Sequence, residues 1–223
     1  MRLILALATI LSLVFTQAFA QDFQKGWKAS QIGDYATAMK EWEPLAKKGD
    51  ANSQYNLGVM YDHGMGVLQD FAEALKWYRL AAKQGQADAQ NAIGSAYTTG
   101  KGTVKNHTEA AKWYRLAAEQ GYAKAQHNLG WAYDQGKGVI QDYARAVKLF
   151  RLAAKQGYVG SQHNLGVMND NGQGVLQDNL MAHMWYNIAS ANGNEKSGEY
   201  RDKIASKMTA SDISKATAMA SSG

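Results

Sequence analysis

An all-α solenoid built from antiparallel helix pairs is the fold class this sequence predicts, and three observations carry it. Shifted by 36 residues, the chain falls on itself: Gly49, Gly85, Gly121, Gly157 and Gly193 align, as do Gly58, Gly94, Gly130 and Gly166. The pairs Gly64-x-Gly66, Gly100-x-Gly102, Gly136-x-Gly138 and Gly172-x-Gly174 follow the same shift, so seventeen of the 22 glycines lie in register without an insertion. Between the glycines, apolar residues recur at spacings of three and four, the period of a helix face. Twenty-two Gly beside a single Pro and no Cys suit many short turns between helices. The missing cysteine also excludes a disulfide framework and any thiolate metal site.

The first twenty residues read as a leader. Arg2 is the basic start, Leu3 to Phe15 is a mostly apolar run, and Ala18-Phe19-Ala20 places small residues where a signal peptidase cuts. Cleavage after Ala20 leaves no transmembrane anchor, because the apolar run falls short of the ~20 residues that span a bilayer. The expected location is periplasmic or secreted. Removing Arg2 lowers the formal charge from +5 to +4, a modest excess that argues against a nucleic-acid groove.

Residues 21–48 form a partial first pair acting as a cap. Gly33-Asp34-Tyr35 is its turn, Tyr35 to Lys48 its second helix, and Pro44 is expected to distort that helix by removing a backbone donor. Residues 49–192 hold four full repeats. In the first of these, Ala51, Gln54, Leu57, Gly58 and Tyr61 share one face of a helix that Gly64 and Gly66 end. Asp70, and Asn106, Asp142 and Asp178 after it, stand where a side-chain oxygen caps the second helix. Glu73 and Glu109, three residues beyond their caps, complete the pattern of a capping box. The second helix carries Ala74, Trp77, Tyr78, Ala81 and Ala82 and stops at Gly85. Trp77, Trp113 and Trp185 recur in register and read as packing residues. Neither helix can bury its face alone, but a stacked neighbour covers it. A mid-helix glycine such as Gly58 costs about 1 kcal/mol against alanine, so a close approach by the backbone of a neighbouring helix is expected to compensate. Residues 193–223 form a helical cap, with Glu195 to Met208 as one helix and Ala210 to about Ala220 as the last, begun by Thr209 and Asp212.

Segments such as Ala125-Gln126-His127-Asn128-Leu129-Gly130-Trp131-Ala132-Tyr133, then Gly136-Lys137-Gly138-Val139, Asp142 and Leu152-Ala153-Ala154, resemble the Sel1-like repeat, a relative of the tetratricopeptide repeat. The resemblance covers residues 49 to 192. It implies a right-handed superhelix of helix pairs that serves exported bacterial members as a non-catalytic scaffold for protein partners. One departure falls in the fourth unit, where Asn169 replaces Tyr61, Tyr97 and Tyr133 and puts the local packing in question.

Chemistry finds little support in the residues. The Gly-rich loops lack the full P-loop spacing and follow helices rather than strands. His127 and His163 are equivalent positions on successive units, without a third ligand nearby in sequence, and read as a solvated or partner-contacting pair rather than a metal site. Some cysteine-rich Sel1-like relatives have been described as binding or hydrolysing β-lactams, which makes a β-lactam or cell-wall hydrolase the alternative function. Here there is no cysteine, no Ser-x-x-Lys and no Gly-x-Ser-x-Gly. No cofactor, metal or catalytic residue is assigned.

The remaining candidate is a surface. In tetratricopeptide-like arrays the first helices line the concave face, and by that resemblance the outward positions are Tyr55, Val59 and His63; Asn91, Ser95 and Thr99; His127, Trp131 and Gln135; and His163, Val167 and Asn171. These differ between units while packing positions repeat. The indole of Trp131 stands where other units have Val59, Ser95 and Val167, which marks it either as an anchor for a partner or as filler between first helices. The expected partner-binding set is Trp131, Tyr55, His127, His163, Asn91, His63 and Asp134. The expected partner is a protein or peptide, not nucleic acid, bound by a chain that is itself monomeric.

Overall fold

A computed structural model describes residues 22–221. The leader expected at residues 1–20 lies outside the described residues. Among the described residues there are twelve helices and no strand. The chain divides after Lys105 into two compact units. The first holds α1 (22–31), α2 (Tyr35–Lys47), α3 (Ala51–His63), α4 (Phe71–Lys83) and α5 (Ala87–Thr99). The second holds α6 (His107–Glu119), α7 (Ala123–Gln135), α8 (Tyr143–Lys155), α9 (Val159–Asn171), α10 (Asn179–Ala191), α11 (Glu195–Ala205) and α12 (Ala210–Ser221). Odd-numbered helices from α3 to α9 are the first helices of the four full repeats.

Local chemistry explains each boundary. Gly64 ends α3 in the left-handed region at φ 68°, where its N–H reaches the Met60 carbonyl. In the same loop position of a later repeat, Gly138 at φ 75° lies against the backbone of His107 at the start of α6. A Cβ there would come within 2.1 Å of the His107 carbonyl oxygen, so the second loop glycine allows consecutive repeats to touch. The expected caps are present: Asp70 accepts from the N–H groups of Ala72 and Glu73, Asn106 from Glu109, Asp142 from Arg145, and Asp178 from Leu180 and Met181. The capping box is not. Glu73 and Glu109 turn outward to Lys76 at 2.7 Å and Lys112 at 2.6 Å, because an exposed lysine one turn on offers an opposite charge at i+3.

Where both helices of a full pair lie in one unit, they meet at a glycine. An added Cβ on Gly58 would stand 2.5 Å from the ring of Tyr78; on Gly130, 2.9 Å from Phe150; on Gly166, 2.5 Å from Tyr186. The close approach anticipated for Gly58 is therefore made by a ring rather than by backbone. Tyr78, Tyr114, Phe150 and Tyr186 are the buried aromatics of the second helices, while Trp77, one residue earlier, is only half-buried at the edge of the cluster around Trp42, Leu57 and Met60. In the first pair Gly26 faces Trp42 in the same way, its hypothetical Cβ 2.6 Å from the indole nitrogen.

Buried glutamines join one pair to the next. The side-chain nitrogen of Gln54 donates to the Ala46 carbonyl near the end of α2, and its oxygen accepts from Gln84 at the end of α4, both at 2.9 Å. Gln126 repeats this with Ala118 (3.3 Å) and Gln156 (2.9 Å), and Gln162 with Ala154 (3.4 Å) and Asn192 (2.9 Å). Carbonyls at a helix C-terminus lack intrahelical donors. One side chain therefore supplies a donor to the preceding second helix and takes one from its own pair.

Three terminal or irregular features differ from what the sequence suggests. The helix α2 runs through Pro44 without a break, since the proline sits one turn from the C-terminus where Lys48 N–H still reaches the Pro44, Leu45 and Ala46 carbonyls. At Asn169 the stack continues: the amide is buried, bonds the Leu165 carbonyl at 2.7 Å, and the Asn169 carbonyl accepts from Asp178 as Tyr133 does from Asp142. The helix begun at Glu195 ends at Ala205 rather than Met208, and both α11 and α12 pack on α10.

Gly58→Ala separates propensity from contact. Propensity alone makes alanine stabilising by about 1 kcal/mol, whereas the Tyr78 ring makes it an overpacking change costing about 1–3 kcal/mol. The expected result is a lower thermal midpoint for Gly58→Ala and a lower one still for Gly58→Leu, read by circular dichroism. Gln126→Leu removes one bond each from the Ala118 carbonyl, which keeps Gly121 N–H, and from the Gln156 amide, which keeps the Gly121 carbonyl, and is expected to lower the free energy of urea unfolding by about 1–2 kcal/mol.

Candidate functional site

In the unit from 106 to 221 the first helices α7 and α9 carry most of the expected partner-binding residues. Trp131 projects from α7 with 38% of its surface exposed, while Val167, its counterpart on α9, packs against the Ala182, Tyr186 and Ile204 cluster. Gln135 and Asn171 are exposed one turn further on. Asp134 is half-buried, its carboxylate accepting from Gln135 Nε2 at 2.7 Å.

His127 and His163 lie elsewhere than in solvent. His127 Nδ1 is 3.0 Å from Ser161 Oγ on the next first helix, and its ring packs against Phe150 and Tyr158. One repeat on, His163 Nδ1 is 2.8 Å from Ser197 Oγ, between the rings of Tyr186 and Tyr200. Each histidine thus bridges consecutive first helices, which corrects the reading of a solvated pair. Burial depresses the His127 imidazole from the ordinary 6.5 to about 4. Burial, and then the charge of Lys196, depress His163 in the same direction. The serines facing them are fully buried, so these Ser–His contacts present no accessible nucleophile.

In the unit ending at Lys105, Tyr55 is half-buried with its ring 5.7 Å from that of Tyr78. His63 is exposed, its Nδ1 3.0 Å from the Val59 carbonyl. Asn91 is buried, contrary to its expected outward position. Tyr55, Asn91, His127 and His163 hold one register position in the four repeats, and of these Asn91 alone is buried. Sequence reasoning also missed Trp27 on α1, which is 45% exposed. The 36-residue shift places it over His63, Thr99 and Gln135, so the outward column itself held the signal. A second missed set is the loop aliphatics: Leu68 and Val104 in the first unit and Ile140 and Leu176 in the second are each almost wholly exposed.

Among the described residues no three His, Asp or Glu side chains come together as a metal site, and no helix is long and apolar enough to cross a membrane. What the geometry defines is a helical-repeat protein whose packing positions recur and whose outward positions do not. The Sel1 repeat model matches residues 51–86, 87–122, 123–158 and 159–194, and the chain belongs to the Sel1 repeat family. Repeats of this family commonly mediate protein–protein interaction and are generally non-catalytic. Among solved structures, a protective antigen of uropathogenic Escherichia coli strains displaying an SLR fold is similar over 71% of this chain, at 38% identity and a TM-score of 0.70. The match covers 34% of that protein, so the chain spans about a third of its length. A Sel1 repeat protein from Oxalobacter formigenes is similar over 80% of this chain and 73% of its own, at 32% identity and a TM-score of 0.74. No curated protein matches the chain.

The depressed histidines set a pH dependence. The unfolded imidazole of His127 takes its proton near 6.5 and the folded one only near 4, so the unfolded chain holds more protons between those values. Stability contributed by neutral His127 is present above pH 6.5 and is lost as pH falls towards 4, at up to ~1.4 kcal/mol per pH unit. His127→Asn, which copies the buried residue of the preceding repeat, is expected to flatten the difference between urea unfolding curves at pH 7 and pH 4.5.

Proposed function

We propose that this chain is a non-catalytic scaffold of the cell envelope or the exterior, binding a protein or peptide partner on the face of its first helices. The leader-like residues 1–20 support export, and membership of a family of interaction repeats supports the class of activity. The observation that carries the choice of face is Trp131. Exposed indoles are over-represented among residues that dominate binding energy. No repeated packing demand puts a tryptophan there, since Val59, Ser95 and Val167 fill the same position in the other units. Half-buried Asp134 and exposed Gln135, three and four residues on along α7, put polar groups on the same helix face, of the kind found at the rim of an interface. Helices held by buried glutamines and ring-to-glycine contacts present such a row already ordered, so association loses little conformational freedom.

Among the remaining expected residues, His63 is exposed and Tyr55, His127 and His163 are half-buried, so they retain surface for a partner; His127 and His163 in addition hold α7, α9 and α11 in step. The test is crosslinking in cells followed by mass spectrometry, repeated with Trp131→Ala. The variant is expected to melt as the wild type does and to recover the crosslinked partner at least tenfold less well. Equal recovery would remove Trp131 from the binding face.

A further inference from the structure

Away from the first-helix face, α6 and α8 flank a groove of about 480 Å³ whose floor is α7. Leu129, Leu149 and Leu152 give it an apolar base, and at one end two guanidinium groups converge on a single phenol. Arg115 Nη2 donates to Tyr133 Oη at 3.2 Å and Arg145 Nη1 donates to the same oxygen at 3.3 Å. Burial by itself raises the Tyr133 phenol, but the hydrogen bonds from Arg145 and Arg115 and their charges outweigh it and hold the group below its ordinary value.

The first of these bonds is a feature of the repeat, since Arg79 donates to Tyr97 Oη at 3.2 Å in the same way, but the second guanidinium is peculiar to this repeat. In the first turn of the second helix, Arg145 stands where Glu73 and Glu109 stand in earlier repeats and Met181 in the next. A helix N-terminus favours an acid, so a cation there runs against the helix dipole. Asp142 offsets part of that by meeting Arg145 Nε at 3.1 Å, and with Nη1 on Tyr133 the nitrogen engaged by neither is Nη2. Leu149 stands where Trp77, Trp113 and Trp185 stand, and the smaller side chain opens the groove. One repeat on, Tyr133, Arg145, Lys148 and Leu149 give way to Asn169, Met181, Met184 and Trp185, so the phenol and the second guanidinium are lost, while Arg151 keeps the Arg115 column and Lys155 lines the groove between α8 and α10. Arg115 and Lys148 have no carboxylate partner among the described residues, and Glu119 is the one acid on the lining.

We propose that this groove binds an amphiphilic carboxylate, its headgroup held by Arg115 and Arg145 beside Tyr133 and its apolar body laid on Leu129, Leu149 and Leu152. Guanidinium forks match a carboxylate in plane and charge. Pockets of a few hundred Å³ that are mostly apolar, with a few placed polar groups, are the usual form of a small-molecule site. The apolar base offers no donors or acceptors for the amides of a peptide backbone, which favours a ligand that is polar only at its anionic end. The site is independent of the partner-binding reading, since Trp131 is not among its residues.

Purified full-length protein, labelled with ¹³C at leucine methyl groups, is titrated with octanoate, with octanamide, and with a short acetylated peptide ending in Leu-Phe carboxylate. Octanoate is expected to shift methyl resonances of Leu129, Leu149 and Leu152 with roughly millimolar affinity, as its few atoms allow. Octanamide is expected to bind at least tenfold more weakly. Arg145→Glu and Leu149→Trp import residues that other repeats already carry, so both variants are expected to keep the wild-type melting midpoint and to lose octanoate binding at least tenfold. Trp131→Ala is expected to bind octanoate as the wild type does. Equal affinity for octanoate and octanamide, unchanged binding in both groove variants, or binding by the peptide alone would overturn the proposal.

Discussion

In every pair where the contact is resolved within one unit, a second-helix ring lies where a first-helix residue would otherwise carry its Cβ. Tyr78 covers Gly58, Phe150 covers Gly130 and Tyr186 covers Gly166. The contact sets how closely the two helices approach, and so fixes where every other side chain on their facing surfaces falls. Leu57, Leu129 and Leu165, each beside its glycine, are buried as a result. Close-packed interiors transmit small displacements, so a methyl group at this point is felt along the pair.

A second constraint acts between pairs. Gln54, Gln126 and Gln162 each serve the C-terminal ends of two successive second helices, and burial makes the bonds costly to lose. Ring and glutamine together recur with similar geometry in the pairs of each unit. The positions outside those contacts need not recur. Two of them in the second unit have diverged in opposite directions: Trp131 adds an aromatic surface to a first helix, and Leu149 removes one from a second helix. Arg145 adds a charge where the helix dipole opposes it. In a chain otherwise governed by repetition, these departures are what the two proposals for binding rest on.

The histidines show how the same column changes role. Tyr55, Asn91, His127 and His163 share a register position, yet Asn91 is buried, Tyr55 rests on Tyr78, and the two imidazoles reach serines on the next helix. Only where Ser161 and Ser197 replace Ala89 and Ala125 does the neighbouring helix offer a hydroxyl to meet. At His127 and His163 the position thus forms a bond between repeats while remaining half-buried.

Period, turn and cap were legible in the sequence because they depend on short-range physics. A glycine two residues from another, followed by an Asp or Asn, ends one helix and starts the next whatever surrounds it, and the 36-residue shift makes neighbouring pairs alike. Leu57, Ile93, Leu129 and Leu165 could therefore be placed in the core from their spacing, and Trp131 on the outside from its failure to recur. The choice between adjacent aromatics was not legible: Trp77 and Tyr78 are one residue apart, and only the crossing of the two helices decides that the tyrosine ring meets Gly58. Nor could spacing reveal that Arg115 and Arg145, thirty residues apart, converge on one phenol, because that depends on how α6 and α8 flank α7. Local sequence determined which elements form and where they stop; the angles and distances at which those elements pack decided which side chains meet.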